Sequence, residues 1–422
     1  MNSTEMLKKV LINRQVKPRD FLKFVAPKQK AELLKVAAAM RGKRVVHVSA
    51  TAIGGGVAEI LNGLIPYLRS LGIESDWYTI NPRVGKRFFT ITNKLHNSLQ
   101  GSPVKLTERE WNEYEKVNKR IAGNLEMIDC DILAINDPQP LGAGVFAHLN
   151  KHKIYISHID TSSAFKPVWR KVLPLINNYH RAVFSNRAFI NGAILKNKVR
   201  VFTPAIDPLV VKQTVVSRTA ARRYLKRYGG VPKNRPLIAQ VSRFDIWKNP
   251  LGVIEAFRLV QNTFPKALLV LAGFHETKDN PAAIGVYSDI KALSEKAPDI
   301  FLFFDPRGKK ISEFTAMIQN GADVIVQNSI KEGFGLVVTE AMWKSQPVIG
   351  GPADGLRVQI KNGKNGFIVK TPQELAEKIV HLLEHPAKKK IMGKAARETV
   401  IRKFLLPRLV ADHIKLYLSC IR

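Results

Sequence analysis

Cysteines, acidic residues and long apolar runs are all scarce in this chain of 422 residues. The two cysteines, Cys130 and Cys420, are too few for a disulfide framework or a cysteine-ligated zinc site. No stretch approaches the roughly 20 apolar residues that a membrane-spanning helix needs. Lysines and arginines interrupt positions 1–30, so no secretory signal peptide is predicted. We therefore expect a soluble, cytoplasmic protein.

The acidic residues are far outnumbered, because 67 Lys and Arg face 34 Asp and Glu and give a net charge of +33. The basic residues cluster at 1–44, 193–235 and 388–394. Such a charge attracts anions, which include nucleic acids, anionic membranes and phosphorylated ligands. The bases are not interleaved with stacking aromatic residues, as they are on a nucleic-acid-binding surface. We therefore favour a generally basic surface over contact with nucleic acid or membrane, which stays an alternative.

Short apolar segments alternate along the chain with helical patterns. Most of these segments are dense in Val, Ile and Leu without polar alternation, which is typical of parallel strands covered on both faces. The candidate strands are residues 44–48, 76–80, 131–136, 153–157, 182–185, 237–241, 268–272, 300–304, 323–327, 348–350 and 367–369. The pattern runs twice, with a hinge predicted near 203–210. The predicted fold class is therefore α/β, with two Rossmann-like domains facing across a cleft.

Three consecutive glycines, Gly54, Gly55 and Gly56, separate the first long strand from a helix predicted to begin near Val57. Glycine lets a ligand approach the backbone closely and tolerates positive φ. The loop is neither Gly-x-Gly-x-x-Gly nor a Walker A motif, so no standard nucleotide fingerprint applies. A flexible tight turn is the structural alternative, but the position at the end of the first strand favours a binding loop.

Two cations, Arg243 and Lys248, follow the first strand of the second series and precede a helix that starts near Pro250. Arginine as a fork and lysine as a point charge suit a diphosphate. In so basic a chain, a pair of solvated surface bases is the alternative. The position at the carboxyl end of a buried strand favours the binding interpretation.

A short segment near position 335 combines two carboxylates with a glycine turn and the start of a predicted helix. The glycine turn exposes backbone N–H groups and the helix N-terminus adds a positive dipole end, an arrangement that suits a phosphate. A carboxylate before the turn can hold sugar hydroxyls, and one on the helix can reach a ribose. Two solvated glutamates beside an ordinary turn are the alternative. The residues are Glu332, Gly333, Phe334, Gly335, Leu336 and Glu340.

Polar residues also follow two strands of the first series. His158 and Asp160 alternate after one strand, so they point the same way if that strand continues. Asp137 and Gln139 follow another strand in a proline-rigid turn, where their side chains are candidates for binding hydroxyls. A buried histidine at a strand end and ordinary turn chemistry are the alternatives.

Together these motifs resemble the retaining glycosyltransferases of the GT-B fold, the large family that includes glycogen and sucrose-phosphate synthases. Glu332 and Glu340 match the Glu-x7-Glu signature of that family, and Arg243 and Lys248 match its diphosphate-binding pair. The resemblance narrows to the trehalose glycosyltransferring synthases and covers nearly the whole chain from about residue 31. It is carried by the segments 54–59, 97–101, 137–140, 158–160 and 240–245.

The resemblance implies a reaction in which NDP-glucose and glucose give α,α-trehalose and NDP, reversibly and with the anomeric configuration retained. It implies that Arg243, Lys248 and the amides around Gly333–Gly335 stabilise the leaving phosphate, so neither a cofactor nor a metal is required. We likewise predict no metal at Asp129 and Asp131, because this Asp-x-Asp pattern precedes a strand and so lies at the wrong end of the sheet.

The resemblance also assigns roles to single residues. Glu332 is expected to hold the hydroxyls of the donor sugar, Glu340 the ribose, and His158 to lie near the donor sugar. The loop of Gly54–Gly56 with Asp137 is expected to bind acceptor and phosphate. The last helices are expected to cross back to the first domain, which gives predicted domains at 1–205 and 206–395 and a crossing segment at 396–422.

The chain departs from the family pattern at several positions. Asn136 replaces a histidine, Ser157 replaces a cysteine, and the loops at 49–51 and 352–356 differ. These differences affect the expected substrates more than the expected reaction class. A related transferase with a sugar phosphate, oligosaccharide or lipid acceptor stays an alternative, as does a non-catalytic anion-binding protein on this fold. Relatives often form homodimers, but the sequence has no interface signature that decides this.

Overall fold

The computed structural model describes residues 5–53, 55–191, 194–244, 246–273, 281–304 and 310–421. Gly54 of the predicted binding loop therefore lies outside the described residues. The chain forms two compact units, the first from Met1–Ala205 with Leu406–Arg422 and the second from Ile206–Leu405. The predicted division at 395/396 falls inside a continuous helix, Pro386–Lys403.

The first unit is a parallel sheet covered by helices. Its order is β1-β3-β2-β4-β5-β6-β7, and only β1 runs antiparallel, pairing Leu7 with Ile80 of β3. The elements are β1 (Leu7–Lys9), α1 (Pro18–Leu22), α2 (Pro27–Ala39), β2 (Arg44–Ser49), α3 (Gly55–Ser70), β3 (Glu74–Ile80), α4 (Lys86–Leu99), α5 (Glu108–Glu126), β4 (Ile132–Asn136), α6 (Leu141–Phe146), β5 (His152–Ser157), α7 (Lys166–Asn177), β6 (Arg181–Phe184), β7 (Val199–Val201) and, at the end of the chain, α16 (Leu406–Ile421).

The second unit repeats the architecture with an all-parallel sheet of order β10-β9-β8-β11-β12-β13. Its elements are α8 (Arg218–Gly229), β8 (Leu237–Val241), α9 (Pro250–Gln261), β9 (Leu268–Gly273), α10 (Pro281–Glu295), β10 (Ile300–Phe304), α11 (Lys310–Gly321), β11 (Val324–Gln327), α12 (Leu336–Trp343), β12 (Val348–Gly350), α13 (Asp354–Arg357), β13 (Gly366–Ile368), α14 (Pro372–Glu384) and α15 (Pro386–Lys403).

Each sheet reverses its strand order once, between β2 and β4 in the first unit and between β8 and β11 in the second. Ligands of open α/β sheets bind at such switch points, outside the carboxyl ends of the strands. A ligand is therefore expected to bind at the loops that follow these four strands. The loops after β4, β8 and β11 carry Asp137, Lys248 and Glu332, and the loop after β2 leads into Gly55 and Gly56 at the start of α3.

Every predicted strand is present, with ends that differ by at most two residues. The buried strands were predictable because both of their faces are covered, as in β4 and β9, where each residue is buried. Two strands were missed, β1 and β7, which have three residues each, lie at the sheet edges and are largely exposed. Among the helices of the described part of the chain, none combines the length and apolar character of a bilayer span.

Candidate active site

Lys248 and Glu332 form an ion pair at the switch point of the second sheet. Lys248 ends a short turn after β8, and Glu332 lies in the loop after β11. Lys248 Nζ is 2.5 Å from Glu332 Oε2, and Ser329 Oγ contacts the same oxygen at 3.4 Å. The two side chains are only 10% and 14% exposed. The sheet thus brings together two side chains that the sequence separates by 84 positions.

Backbone contacts hold these two loops in register. The buried Gln240 donates its amide to Lys248 O at 3.1 Å and accepts from Asn328 N at 3.1 Å. Ile330 N donates to Trp247 O at 2.8 Å. Gln240 was not predicted as a site residue, although its position at the end of β8 was visible in the sequence. Because this side chain extends from β8 and bonds to the backbone of both loops, the sheet fixes the relative position of Lys248 and Glu332.

The glycine turn after Glu332 leads directly into α12. Gly335 adopts φ of 81°, in the left-handed region that favours glycine, and is the N-cap of the helix. The buried Gln359 donates to the carbonyl groups of Phe334 and Gly335 and accepts from Thr339 Oγ1 at 2.5 Å. The amides of this turn therefore lie at the positive end of α12, as an anion site requires. Gln359 was missed because nothing near it in sequence marks a site.

The variant loop at 351–356 packs against the backbone of the same turn. A Cβ atom added to Gly351 would lie 2.6 Å from Ser329 O, and one added to Gly355 would meet the backbone of Glu332 and Gly333. Only glycine permits this approach. Gly351 and Gly355 therefore let this loop pack directly against the loop that carries Glu332.

Glu340 lies on α12 but is almost fully buried, with 1% of its side chain exposed. Lys212 Nζ lies 2.9 Å from Glu340 Oε1, while Oε2 is buried and has no hydrogen-bond partner among the described residues. Lys344, one turn further along the chain, is also buried, and burial lowers its pKa to about 8, partly offset by the Glu340 carboxylate. Arg243, by contrast, is exposed just beyond β8. Lys212 is thus a neighbour of the predicted ribose carboxylate that the sequence did not reveal.

A second group of predicted residues meets in the first unit, after β4 and β5. Asp137 adopts φ of 64° and accepts the His158 backbone N–H on Oδ1 at 2.8 Å. The His158 ring contacts Asn136 Oδ1 through Nε2 at 3.1 Å. Burial lowers the pKa of His158, partly offset by the nearby Asp137 carboxylate. The left-handed aspartate at a strand end is a strained backbone position of the kind that clusters at functional sites.

The turn that carries Asp137 and Gln139 is held from outside by α5. Tyr114 Oη donates to Pro138 O at 2.7 Å, and Asn118 donates its amide to Gln139 O at 3.3 Å. Gln139 is partly buried, and its Oε1 has no partner among the described residues. Tyr114 and Asn118 belong to an amphipathic helix, so their sequence signal was that of ordinary core positions.

The remaining predicted residues of the first unit are placed differently. Gly55 and Gly56 open α3 and are exposed, with φ of 76° at Gly55. Asp160 is buried and accepts from the backbone N–H and hydroxyl of Ser162 at 2.9 and 2.6 Å. The strand ends at Ser157, so it does not extend through His158 and Asp160 as the alternation argument required. Asp160 therefore forms a local turn.

Each unit contains a region that matches a known protein family. Residues 47–191 match the family model described as trehalose synthase, N-terminal domain, and residues 222–399 match glycosyl transferases group 1. A trehalose synthase from Pyrococcus horikoshii is 35% identical over 404 residues, covering 96% of this chain and 95% of that protein. This chain belongs to the trehalose synthase family. A second trehalose synthase, from Rubrobacter xylanophilus, is 36% identical over 409 residues, covering 94% and 95%.

The fold of this trehalose synthase family member is also that of more distant enzymes. The solved structure of an α,α-trehalose-phosphate synthase (UDP-forming) from Burkholderia xenovorans, in complex with glucose-6-phosphate, superposes with a TM-score of 0.69. It is 12% identical and covers 90% of this chain and 100% of that one. The predicted GT-B class, with two parallel-sheet Rossmann-like domains, is confirmed. The protein is a trehalose-related glycosyltransferase.

Proposed function

We propose that this protein transfers a glucosyl group from a nucleoside diphosphate glucose to glucose, giving α,α-trehalose and the nucleoside diphosphate, reversibly and with retention. The observation that carries the proposal is the Lys248–Glu332 pair beside the amides of Gly333–Gly335 at the switch point. It gives one loop pair both a cation for a phosphate and a carboxylate for sugar hydroxyls. The trehalose synthases at 35–36% identity support the choice of product.

The expected chemistry is the departure of a phosphate from an oxocarbenium-like sugar. Negative charge builds on the leaving diphosphate as the C–O bond breaks. Lys248 and Arg243 supply positive charge, and the amides at the start of α12 supply fixed dipoles. One such donor is typically worth about 3–4 kcal/mol of barrier in a site that excludes water. We propose that these groups stabilise the leaving group by themselves, so we expect turnover without a cofactor or added metal ion.

Glu332 has a second task in this mechanism. Its Oε2 accepts from Lys248 and contacts Ser329, which leaves Oε1 for the hydroxyls of the donor sugar. His158 is expected to meet the same sugar, and Glu340 the ribose. Gly54–Gly56 and Asp137 are expected to bind the acceptor and a phosphate. We propose that the acceptor attacks from the face that the phosphate leaves, which retains the anomeric configuration.

The experiment incubates the purified protein with UDP-glucose or ADP-glucose plus glucose, and in reverse with trehalose plus UDP or ADP, in the presence of EDTA. NMR of the products is expected to show α,α-trehalose forward and an α-configured NDP-glucose in reverse. Consumption of donor without trehalose would mean transfer to water or to a different hydroxyl of glucose, and would refute α,α-trehalose as the product. Absence of turnover in both directions with every nucleotide, from folded protein, would refute the proposed activity.

A further inference from the structure

A continuous chain of polar side chains runs through the interior of the first unit, from His158 to the last helix. His158 Nε2 meets Asn136 Oδ1 at 3.1 Å, and Asn136 Nδ2 meets His47 Nδ1 at 3.5 Å. His47 Nε2 meets Tyr417 Oη at 3.0 Å, and Tyr417 Oη meets His413 Nδ1 at 2.9 Å. Beyond His158, which is partly exposed, every member is at most 4% exposed. The sequence motifs explain only its outer end.

Asn136 has its amide orientation fixed by the backbone. Its Nδ2 donates to Val48 O at 3.1 Å and to Ala134 O at 3.3 Å. A carbonyl oxygen cannot donate, so the group that faces these two oxygens has to be the amide nitrogen. Oδ1 therefore points at His158, and since Oδ1 only accepts, Nε2 of His158 carries a proton. Two backbone carbonyls thus determine where a ring proton of His158 resides.

The rest of the chain follows from the same amide orientation. Both Nδ2 protons of Asn136 are directed at backbone carbonyls, and an amide nitrogen does not accept, so an Nδ1–H of His47 would have no acceptor there. The ring proton of neutral His47 is therefore on Nε2, which faces Tyr417 Oη. The Tyr417 hydroxyl then donates to His413 Nδ1, one turn earlier on α16. Burial lowers the pKa of His47 to about 3 and that of His413 well below its ordinary value, so both rings stay neutral near pH 7. No donor faces a donor anywhere along the chain.

The Nε2–H of His158 therefore already has its hydrogen-bond acceptor, and the remaining ring nitrogen is Nδ1. Nδ1 makes no hydrogen bond to any residue in the described ranges. In the neutral ring this nitrogen is an acceptor. The Asp137 carboxylate, which acts electrostatically on the ring, accepts the His158 backbone N–H. His158 thus offers Nδ1 as a hydrogen-bond acceptor, while Asn136 holds its Nε2 from the core.

We propose that Asn136 is a positioning residue that holds His158 as the tautomer with Nε2 protonated, so that Nδ1 accepts a hydrogen bond from a hydroxyl of the bound sugar. The sugar contact rests on the proposed function, but the tautomer does not. Asn136 is 1% exposed, so it does not itself contact the acceptor sugar. Val48 O and Ala134 O hold the asparagine, and His47, Tyr417 and His413 continue the polar chain behind it.

The experiment reads the tautomer directly, by two-bond ¹H–¹⁵N NMR correlations of histidine-labelled full-length protein without ligand. The His158 signals are assigned by their loss in His158→Gln. In the wild type we expect the pattern of a neutral ring with the proton on Nε2. Asn136→Asp keeps an oxygen acceptor beside Nε2, so Nε2 is expected to stay protonated. Asn136→Leu removes the acceptor, and a mixture of tautomers is expected.

Kinetics supply the second readout. If transfer to glucose occurs, Asn136→Leu is expected to lower kcat about three- to tenfold, as for loss of one hydrogen bond, with little change in the KM for the donor. Tyr179→Phe, which removes another buried hydroxyl of the same unit, is the control and is expected to leave kcat unchanged. A wild-type His158 protonated on Nδ1, or an Asn136→Leu protein with the wild-type tautomer, would overturn the proposal. A protein without any turnover refutes the proposed function, while the wild-type spectrum still decides the tautomer.

Discussion

At the scale of single residues, the candidate site depends on an ion pair that the fold itself positions. Lys248 and Glu332 lie 2.5 Å apart with most of both side chains buried. Preorganised charge is effective because little reorganisation is needed as the transition state forms. A site built this way should lose rate when one member is neutralised, even if the fold is kept.

Lys248→Met is therefore expected to lower kcat by about 10² to 10³, the range for removal of one preorganised donor. Glu332→Gln, which keeps the size of the side chain, is expected to raise the KM for the donor. Both are measured by initial rates of trehalose formation, with folding checked by circular dichroism. Lys364→Met, at an exposed position of the same unit, is the matched control. Rates near that of the wild type in both site variants would remove this pair from the active site.

The second pair, Lys212 with Glu340, gives a prediction for stability. Glu340 is 1% exposed and its Oε1 is 2.9 Å from Lys212 Nζ. Lys212→Met would leave the carboxylate buried without this partner, and we expect a loss of about 2 kcal/mol in the free energy of unfolding. Glu340→Gln in the same protein should recover most of it, because a neutral amide needs no counter-charge.

A double-mutant cycle in urea measures this coupling directly. If the losses of the two single variants simply add, Lys212 does not stabilise Glu340, and the ion pair is incidental. If they do not add, the same cycle repeated on nucleotide affinity tests whether Glu340 binds ribose.

At the scale of elements, α16 is attached to the first unit through buried histidines. His413 and Tyr417 lie one turn apart on this helix and meet His47 of β2. Burial lowers the pKa of His47 to about 3 and that of His413 well below the ordinary value near 6.5. Since the folded state disfavours the proton, the unfolded state binds more protons as the pH falls, and stability decreases.

The stability from these histidines is thus complete above about pH 6.5 and is lost as the pH falls toward about 3. Between pH 7 and 5.5, above the titration of most carboxylates, each is expected to cost about 1 kcal/mol. The free energy of unfolding in urea at the two pH values measures this. His413→Gln should flatten the difference, and equal stability of the wild type at both pH values would contradict the prediction.

Helix α8 is fixed by a carboxylate at the start of β11. Asp323 contacts Arg222 at 2.7 Å and Arg218 at 2.5 Å, and it accepts the Leu237 N–H of β8 at 2.9 Å. Arg222 is only 3% exposed. Asp323→Ala would leave this guanidinium buried without its counter-charge, so we expect a loss of about 3–5 kcal/mol in the free energy of unfolding.

Asp299→Ala is the matched control in the same unit, because Asp299 pairs with Arg235, whose side chain is 31% exposed. We expect that substitution to cost about 1 kcal/mol or less, as for pairs that water screens. Chemical denaturation of both variants compares them. Similar losses in the two would show that burial of Arg222 is not what makes Asp323 important.

At the scale of the whole molecule, the candidate site residues that could be predicted are those that directly follow buried strands. Gly55, Asp137, Lys248 and Glu332 follow buried strands, so their positions could be inferred from apolar runs followed by polar residues. The residues that were missed have no such local signal. Gln359 reaches the glycine turn from 24 positions away and Tyr417 reaches His47 from 370 positions away. Their roles arise only when the chain is folded, because hydrogen bonding inside a core depends on tertiary neighbours.

The charge of the whole molecule is +33, and the fold explains part of it. With few acids available, single carboxylates serve several bases: Asp76 pairs with Lys9, Arg44 and Arg69. Asp323 likewise serves Arg218 and Arg222, which belong to the basic run at 193–235. These ion pairs hold elements together and neutralise part of the charge of the bases.

A generally basic surface and a nucleic-acid-binding surface differ in their response to salt. If the basic residues formed a specific polyanion site with 6–10 phosphate contacts, affinity would fall about 10³- to 10⁵-fold between 50 and 200 mM salt. We expect instead that fluorescent single-stranded DNA binds weakly even at low salt, and that excess DNA leaves trehalose formation unchanged at 150 mM. Under the proposed function, Lys248 and backbone amides hold a short nucleotide sugar in a partly buried site, and its binding should be far less salt-sensitive, because buried pairs are screened less than exposed ones. DNA that inhibits transfer with submicromolar affinity at 150 mM would reverse this conclusion, since a polyanion would then compete for the surface that binds the substrate.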